Sequence, residues 1–228
     1  LLKKAGYEIR VFNLIDMSHS NNYNPFNYVY DRDGNVNKSY VLKMVNCLMK
    51  NTKQEGSSGG DQFWDDSTKA LTLAISFYLL EKAEQETKNI KGDYERQKSV
   101  YEEMRKGNYA PEDVEMQKDI TEDSKKAYEE ADKHSKIDCN FRRVMEVMKM
   151  AEISERDDTL QSPLDDLMEE HRSNFPNSMA WVYYADFKKA PAETAKSILI
   201  SAAVRSAAFE LPEGADLTHI DNISLDTM

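Results

Sequence analysis

Gly56-Ser57-Ser58-Gly59-Gly60 matches the Gly-x-Ser-x-Gly pattern of a serine nucleophile. That pattern works on a strained turn between a buried strand and a helix, where the serine oxygen is exposed to a substrate carbonyl. Here the preceding residues, Asn51-Thr52-Lys53-Gln54-Glu55, are polar and make no strand. A flexible loop is the better reading, and a helical hydrolase built on Ser58 is a remote alternative. Nucleotide hydrolysis needs a different arrangement, Gly-x-x-x-x-Gly-Lys-[Ser/Thr], in which backbone amides wrap the phosphates and the lysine neutralises them. No Gly-Lys pair occurs in the chain. We therefore expect no catalytic and no cofactor-binding residue in this segment.

Metal chemistry is equally poorly served. A carboxylate-bridged site in a helical bundle wants Glu-x-x-His on two helices, so that both ligands face inward. The four histidines are His19, His134, His171 and His219, and the nearest patterns are Asp16-x-x-His19 and Asp216-x-x-His219. Both lie in loop-like segments. Isolated surface histidines and no metal site are the expectation, with His171 near a helix C-terminus, where a cation is favourable.

One charge feature stands out. Between Glu152 and Glu170 lie Glu152, Glu155, Asp157, Asp158, Asp165, Asp166, Glu169 and Glu170 against the single Arg156, a net of −7. These eight carboxylates form a candidate docking surface for a basic partner. The plain alternative is an ordinary solvated helix end and loop.

The 228 residues carry 30 basic and 41 acidic side chains, a net charge of −11. Nucleic-acid affinity comes largely from clustered Lys and Arg, so this balance argues against a phosphate-binding surface as the main function. Hydrophobic residues make up 40 % of the chain, enough for a sizeable core. Cys47 and Cys139 are far apart in sequence and belong to no Cys-x-x-Cys framework. Reduced thiols are expected, and with them an intracellular setting. The longest apolar stretch, Leu71 to Leu80, is about half of what a membrane span needs. The first residue is Leu1 and the last is Met228. Both ends read as cuts from a larger protein.

Helices must position whatever these residues do. Leu1 to Gly6 looks like a last helical turn closed by glycine, and Tyr7 to Leu14 then alternates like a strand. A lone strand forms no sheet, so it is expected to belong to a domain outside this chain. Helices are expected at Lys38–Asn51, from Asp61 to about Thr87, at Asn140–Ile153, at Pro163–Arg172, at Met179–Lys188 and from Pro191 onward. Phe63, Trp64, Ala70, Leu71, Ala74, Ile75 and Tyr78 are expected inside. Lys91 to Lys136 carries 13 acidic and 10 basic residues with a thin apolar stripe. We read it as two charged helices joined at Gly107-Asn108-Tyr109-Ala110-Pro111, with disorder as the alternative. Leu217 to Met228 reads as an irregular tail.

Four stretches, taken in order, carry a family resemblance: Leu2-Lys3-Lys4-Ala5-Gly6-Tyr7 leading into Val11-Phe12-Asn13-Leu14; Ser20 with Tyr23-Asn24-Pro25-Phe26; Asp61-Gln62-Phe63-Trp64 leading into Ala70-Leu71; and Asn222-Ile223-Ser224-Leu225-Asp226-Thr227-Met228. Together they resemble the coupling proteins of type IV secretion and conjugation systems, which are hexameric, membrane-anchored, DNA-translocating ATPases. The resemblance covers roughly residues 1–86 and 158–228, and the middle, 91–136, matches nothing.

The resemblance implies a mainly α fold: a helical bundle inserted in a RecA-like α/β ATPase domain, of which only edge pieces are present. Residues 1–30 would flank the nucleotide-binding domain. Residues 31–215 would be the all-α domain, with a charged helical insertion at about 91–136, and residues 216–228 would return to the nucleotide-binding domain. The phosphate loop would precede Leu1 and the acidic nucleotide motif would follow Met228, so ATP and Mg belong to the parent protein. This segment would be its cytoplasmic substrate-recognition domain, monomeric by itself, on a bacterial inner-membrane protein. Its implied partners are relaxase or relaxosome proteins and secreted substrates with basic signals, and direct DNA contact is the alternative.

Overall fold

The computed structural model describes residues 3–52, 61–152, 161–190, 192–209 and 211–225. The protein is mainly helical, and no strand occurs among the described residues. The expected strand at Tyr7–Leu14 is an unladdered segment instead. Val11 bonds Asn21, its amide donating to the Asn21 side chain at 2.8 Å and its carbonyl accepting the Asn21 amide at 2.6 Å. Tyr7, Ile9, Val11, Phe12 and Leu14 are all exposed. Alternation alone cannot make a strand without a neighbour to complete the hydrogen bonds. Gly6, at φ +87°, closes a short 3₁₀ turn, Lys3–Ala5, a conformation that suits a residue without a Cβ.

The chain divides into two compact units, residues 1–79 with 138–228, and residues 80–137. In the first, α1 (Lys38–Asn51) starts where the Asn37 side chain accepts the amides of Ser39 and Tyr40. It buries Val41, Val45 and Met49 at a helical spacing of four. The long α2 (Asp61–Lys106) gives this unit its centre. Residues 71–79 of α2 are buried on every side, as a largely apolar run requires. Thr72 and Ser76 are tolerated there because their hydroxyls donate to the carbonyls four residues back, at 2.9 and 2.7 Å. Phe77 stacks on Tyr183 with ring centroids 5.7 Å apart.

Around that centre lie α4 (Phe141–Met148), α5 (Pro163–Asn174), α6 (Met179–Phe187), α7 (Ala192–Ser206) and α8 (Pro212–His219). Arg205 of α7 ties three helices together: it pairs with Asp65 of α2 and donates to the carbonyl of Met49 in α1. Two expectations are corrected here. Phe63 is half exposed, at 51 %, with its ring edge-on to a partly buried Trp64, so only the tryptophan leans inward. The tail is not wholly irregular, since Pro212 opens α8 and its Leu217 and Thr218 are buried.

The second unit is a helical hairpin formed by residues 80–106 of α2 and by α3 (Pro111–Lys136). The sequence pattern predicts that α2 stops near Thr87 and that a separate charged helix follows, but α2 continues unbroken to Lys106. Residues 81–106 are rich in Glu, Lys, Gln and Arg, all good helix formers, and Gly92 costs only about 1 kcal/mol against alanine. Lys82–Glu86 and Asp93–Arg96 pairs lie along this stretch. Between the arms, Tyr94 stacks on Tyr128 at 6.0 Å, the Gln117 amide donates to the Gln97 side chain at 2.8 Å, and Thr121 donates to the Gln97 carbonyl. These contacts fix the register with few apolar groups.

Candidate docking surface

The acidic segment resolves into two kinds of carboxylate. Ser162 caps α5: its hydroxyl accepts the Asp165 amide, and the Asp165 carboxylate accepts the Ser162 amide at 2.8 Å, a reciprocal capping box. Pro163 at the first helical position suits the same start. Asp165 itself is buried. Its Oδ2 also accepts the Ser162 hydroxyl at 2.8 Å, and its Oδ1 accepts the Tyr184 hydroxyl at 2.8 Å and the Lys188 ammonium at 2.7 Å.

The electrostatics follow from that cage. Burial pushes the Asp165 carboxyl up, but the bonds from Lys188, Ser162 and Tyr184 outweigh it and hold the group below the ordinary aspartate range. The Tyr184 hydroxyl is driven strongly upward, by burial first and then by its carboxylate partner. The expectation that Asp165 belongs to an exposed acidic surface is therefore corrected. It staples α5 to α6.

Asp166, Glu169 and Glu170 are exposed and sit at i, i+3 and i+4 on the outer face of α5. The opposite face buries Leu164, Met168 and His171. Asp166 accepts the Gln161 amide at 2.6 Å. Glu152 is exposed just beyond the 3₁₀ turn Lys149–Ala151 that follows α4. Glu155, Asp157 and Asp158 lie outside the described residues, as does the stretch Gly56–Gly60 expected to form a loop. Next to the carboxylates, the Arg172 guanidinium lies over the Trp181 ring, 4.6 Å from its centroid. The structure thus brings three of the eight singled-out carboxylates onto one helical face.

The histidines are placed differently from one another. His171 is not a surface residue; it is buried, 5.0 Å from the Phe175 ring and edge-on to Tyr78 at the same distance. His19 pairs with Asp16 at 2.8 Å, and the Asn140 side chain meets His219 at 3.2 Å. Sequence reasoning also passed over a largely apolar cleft of about 330 Å³ whose lining includes Tyr23, Tyr28, Tyr40, Leu48 and Phe141. The density of aromatics from Tyr23 to Tyr30 was its only trace in the sequence.

Residues 10–28 and 217–225 are bonded to each other at several points. The Tyr23 amide donates to the Leu217 carbonyl at 2.9 Å, and the Asn22 amide donates to the Asn222 side chain at 2.7 Å. Asp221 accepts the Asn24 amide at 3.1 Å and the Tyr28 hydroxyl at 2.9 Å. Arg10 donates to the carbonyls of Ile223 and Ser224. The polar loop before α1 and the segment after α8 form one clasp. No helix among the described residues is long and apolar enough to cross a membrane.

Comparison with protein families gives a match to the model described as type IV secretory system conjugative DNA transfer, over residues 2–226. Comparison with the curated proteins and with the solved structures gives no match.

Proposed function

This chain belongs to the type IV secretory system conjugative DNA transfer family, and from that premise we propose that it is the substrate-docking domain of a coupling protein. Its task is to bind relaxase, relaxosome or secreted protein substrates through the outer face of α5. The observation that carries this reading is the exposed set Asp166, Glu169 and Glu170, held on a helix that the Asp165 cage fixes to α6. Three carboxylates on one rigid face form a field that a basic substrate tail complements.

The clasp between the two ends supports a second element of the proposal, insertion into a RecA-like ATPase domain. A chain that leaves and re-enters at one place can be inserted into a neighbouring domain without disturbing either fold. Residues 7–14 support it too, because their exposed apolar side chains and unladdered backbone would complete a sheet supplied by that neighbour. In this reading ATP and Mg act in the parent protein, which is hexameric and membrane-anchored. This segment faces the cytoplasm and does no chemistry.

Reversing the three exposed carboxylates tests the docking role. In the triple variant Asp166→Lys, Glu169→Lys, Glu170→Lys, affinity for the cognate relaxase or accessory protein is expected to fall by about tenfold or more, mostly through a slower association rate. The melting temperature should stay near that of the parent chain, since exposed charges contribute little to stability. Surface plasmon resonance at low and at physiological salt reads both rates. Unchanged affinity at low salt sinks the α5 assignment. Binding of arbitrary duplex DNA with a steep salt slope would point to direct nucleic-acid contact instead.

A further inference from the structure

The hairpin carries a second surface, on α3. From Pro111 to Asp123 this helix holds Glu112, Asp113, Glu115, Asp119, Glu122 and Asp123 against Lys118 alone, a net of −5. All six carboxylates are exposed. Favourable interaction with the helix dipole accounts for Glu112 and Asp113 in the first turn, but that effect fades within one turn. It does not account for Asp119, Glu122 and Asp123.

An apolar pair sits among them. Met116 is 62 % and Ile120 42 % exposed, and their i, i+4 spacing makes them neighbours on one helical face. Glu112, Asp113 and Asp119 lie four before, three before and three after Met116, and Asp123 lies three after Ile120. The inward face of α3 is separate, since it uses Gln117, Thr121 and Tyr128 against α2. Two of the carboxylates already hold lysines, Glu115 with Lys118 at 2.9 Å and Asp123 with Lys126 at 3.3 Å. Methionine adapts readily to differently shaped apolar partners.

We infer that the outer face of α3 is a docking site for a basic amphipathic helix of another protein. The partner's apolar side chains cover Met116 and Ile120 while its Lys or Arg residues meet Glu112, Asp113 and Asp119. Charge complementarity selects this occupant: an acidic partner would be repelled, and an uncharged one would leave the flanking carboxylates desolvated and unpaired. This surface is distinct from α5 and does not depend on the coupling-protein reading.

The probe is a fluorescent synthetic 18-residue peptide of leucine and lysine at helical spacing. It is titrated against the intact chain in which Asp166, Glu169 and Glu170 are already lysine, so that only surfaces other than the outer face of α5 are read. Anisotropy at low salt should show saturable binding. Adding Met116→Ser with Ile120→Ser should weaken it about tenfold, and adding Glu112→Gln, Asp113→Asn and Asp119→Asn instead should weaken it similarly and flatten its salt dependence. Absence of binding in the α5-reversed chain overturns the inference, and so does binding that ignores the Met116/Ile120 pair. Sedimentation of the unmodified chain provides a further check. A dimer dissolved by the two serine substitutions would assign the stripe to a second copy of this chain and overturn the basic-helix assignment.

Discussion

Phe26→Ala is expected to destabilise the first unit by about 3–5 kcal/mol, the cost of emptying a large, fully buried aromatic site. Phe26 has no exposed surface and meets Phe141 edge-on at 5.2 Å, and Phe141 in turn stacks on Phe209 at 4.7 Å. Its position depends on Asn24, whose side chain accepts the Phe26 amide at 3.1 Å and donates to the Cys139 carbonyl at 2.9 Å. Pro25 opens the short 3₁₀ turn that carries the ring inward. The Asn-Pro-Phe run is thus a plug that pins the loop before α1 to α4. For a unit of this size the melting temperature should drop by roughly 6–20 °C. Tyr28→Phe, which removes the hydroxyl that Asp221 and the Leu225 amide share, should cost about 1–2 kcal/mol. A Phe26→Ala protein that melts with the parent would show that residues 24–29 do not belong to this core.

That plug shows what the sequence could and could not convey. Helices with a clean apolar stripe and a polar cap were legible: α1 is expected at Lys38–Asn51 and observed there, and α6 differs by one residue at its end. Spacing of three and four, with Asn37 or Ser178 just before, is local information. The boundary expected near Thr87 was also local in origin, because the end of the apolar run and the highly charged composition from Lys91 onward are changes that look like a break. Helix propensity summed over residues 81–106 outweighs them. Leu217 looked like a tail residue because the partner of its carbonyl, Tyr23, lies about 190 residues away in sequence, across the clasp.

The acidic segment was legible as charge and illegible as structure. Counting carboxylates could not separate Asp165 from Asp166. The two differ by one position on a helix, about 100°, and that turn decides between the α6 interface and solvent. A capping box with Ser162 could be read from Ser-Pro-Leu-Asp, but Tyr184 and Lys188 come from another helix and reach Asp165 only in the fold. His171 was misplaced for the same reason. It lies three residues after Met168, on the buried side of α5, and although Phe175 is only four residues on, the Tyr78 ring that also receives it comes from α2 and no local pattern announces it.

Asp165→Ala is accordingly expected to behave as a stability variant, with a loss of about 3 kcal/mol. Truncation removes the carboxylate half of the capping box, about 1 kcal/mol, and leaves the buried Tyr184 hydroxyl without its carboxylate acceptor, a further 1–3 kcal/mol. The Lys188 contribution is discounted, because its side chain is 46 % exposed and solvent screens it. The pH dependence has a definite sign. A carboxyl held below its unfolded value of about 3.9 stabilises the fold fully above that pH, and the contribution fades as pH falls through the folded value. Parent protein and Asp165→Ala should therefore differ by the full amount at pH 7, and the gap between their melting temperatures should narrow as pH drops below about 4, toward the smaller gap that a neutral side chain of the same shape keeps. Asp165→Asn keeps the shape and one acceptor oxygen, so it should lie between the two and lose the same acid dependence. Thermal melts of the three proteins from pH 7 to pH 3 make the comparison. A constant gap across that range would show that Asp165 does not stabilise through its charge. The α5 triple-lysine variant supplies the contrast: it should melt with the parent at pH 7 while losing its partner. Neighbouring carboxylates on one helix would then divide the work, Asp165 holding α5 against α6 and Asp166, Glu169 and Glu170 facing the substrate.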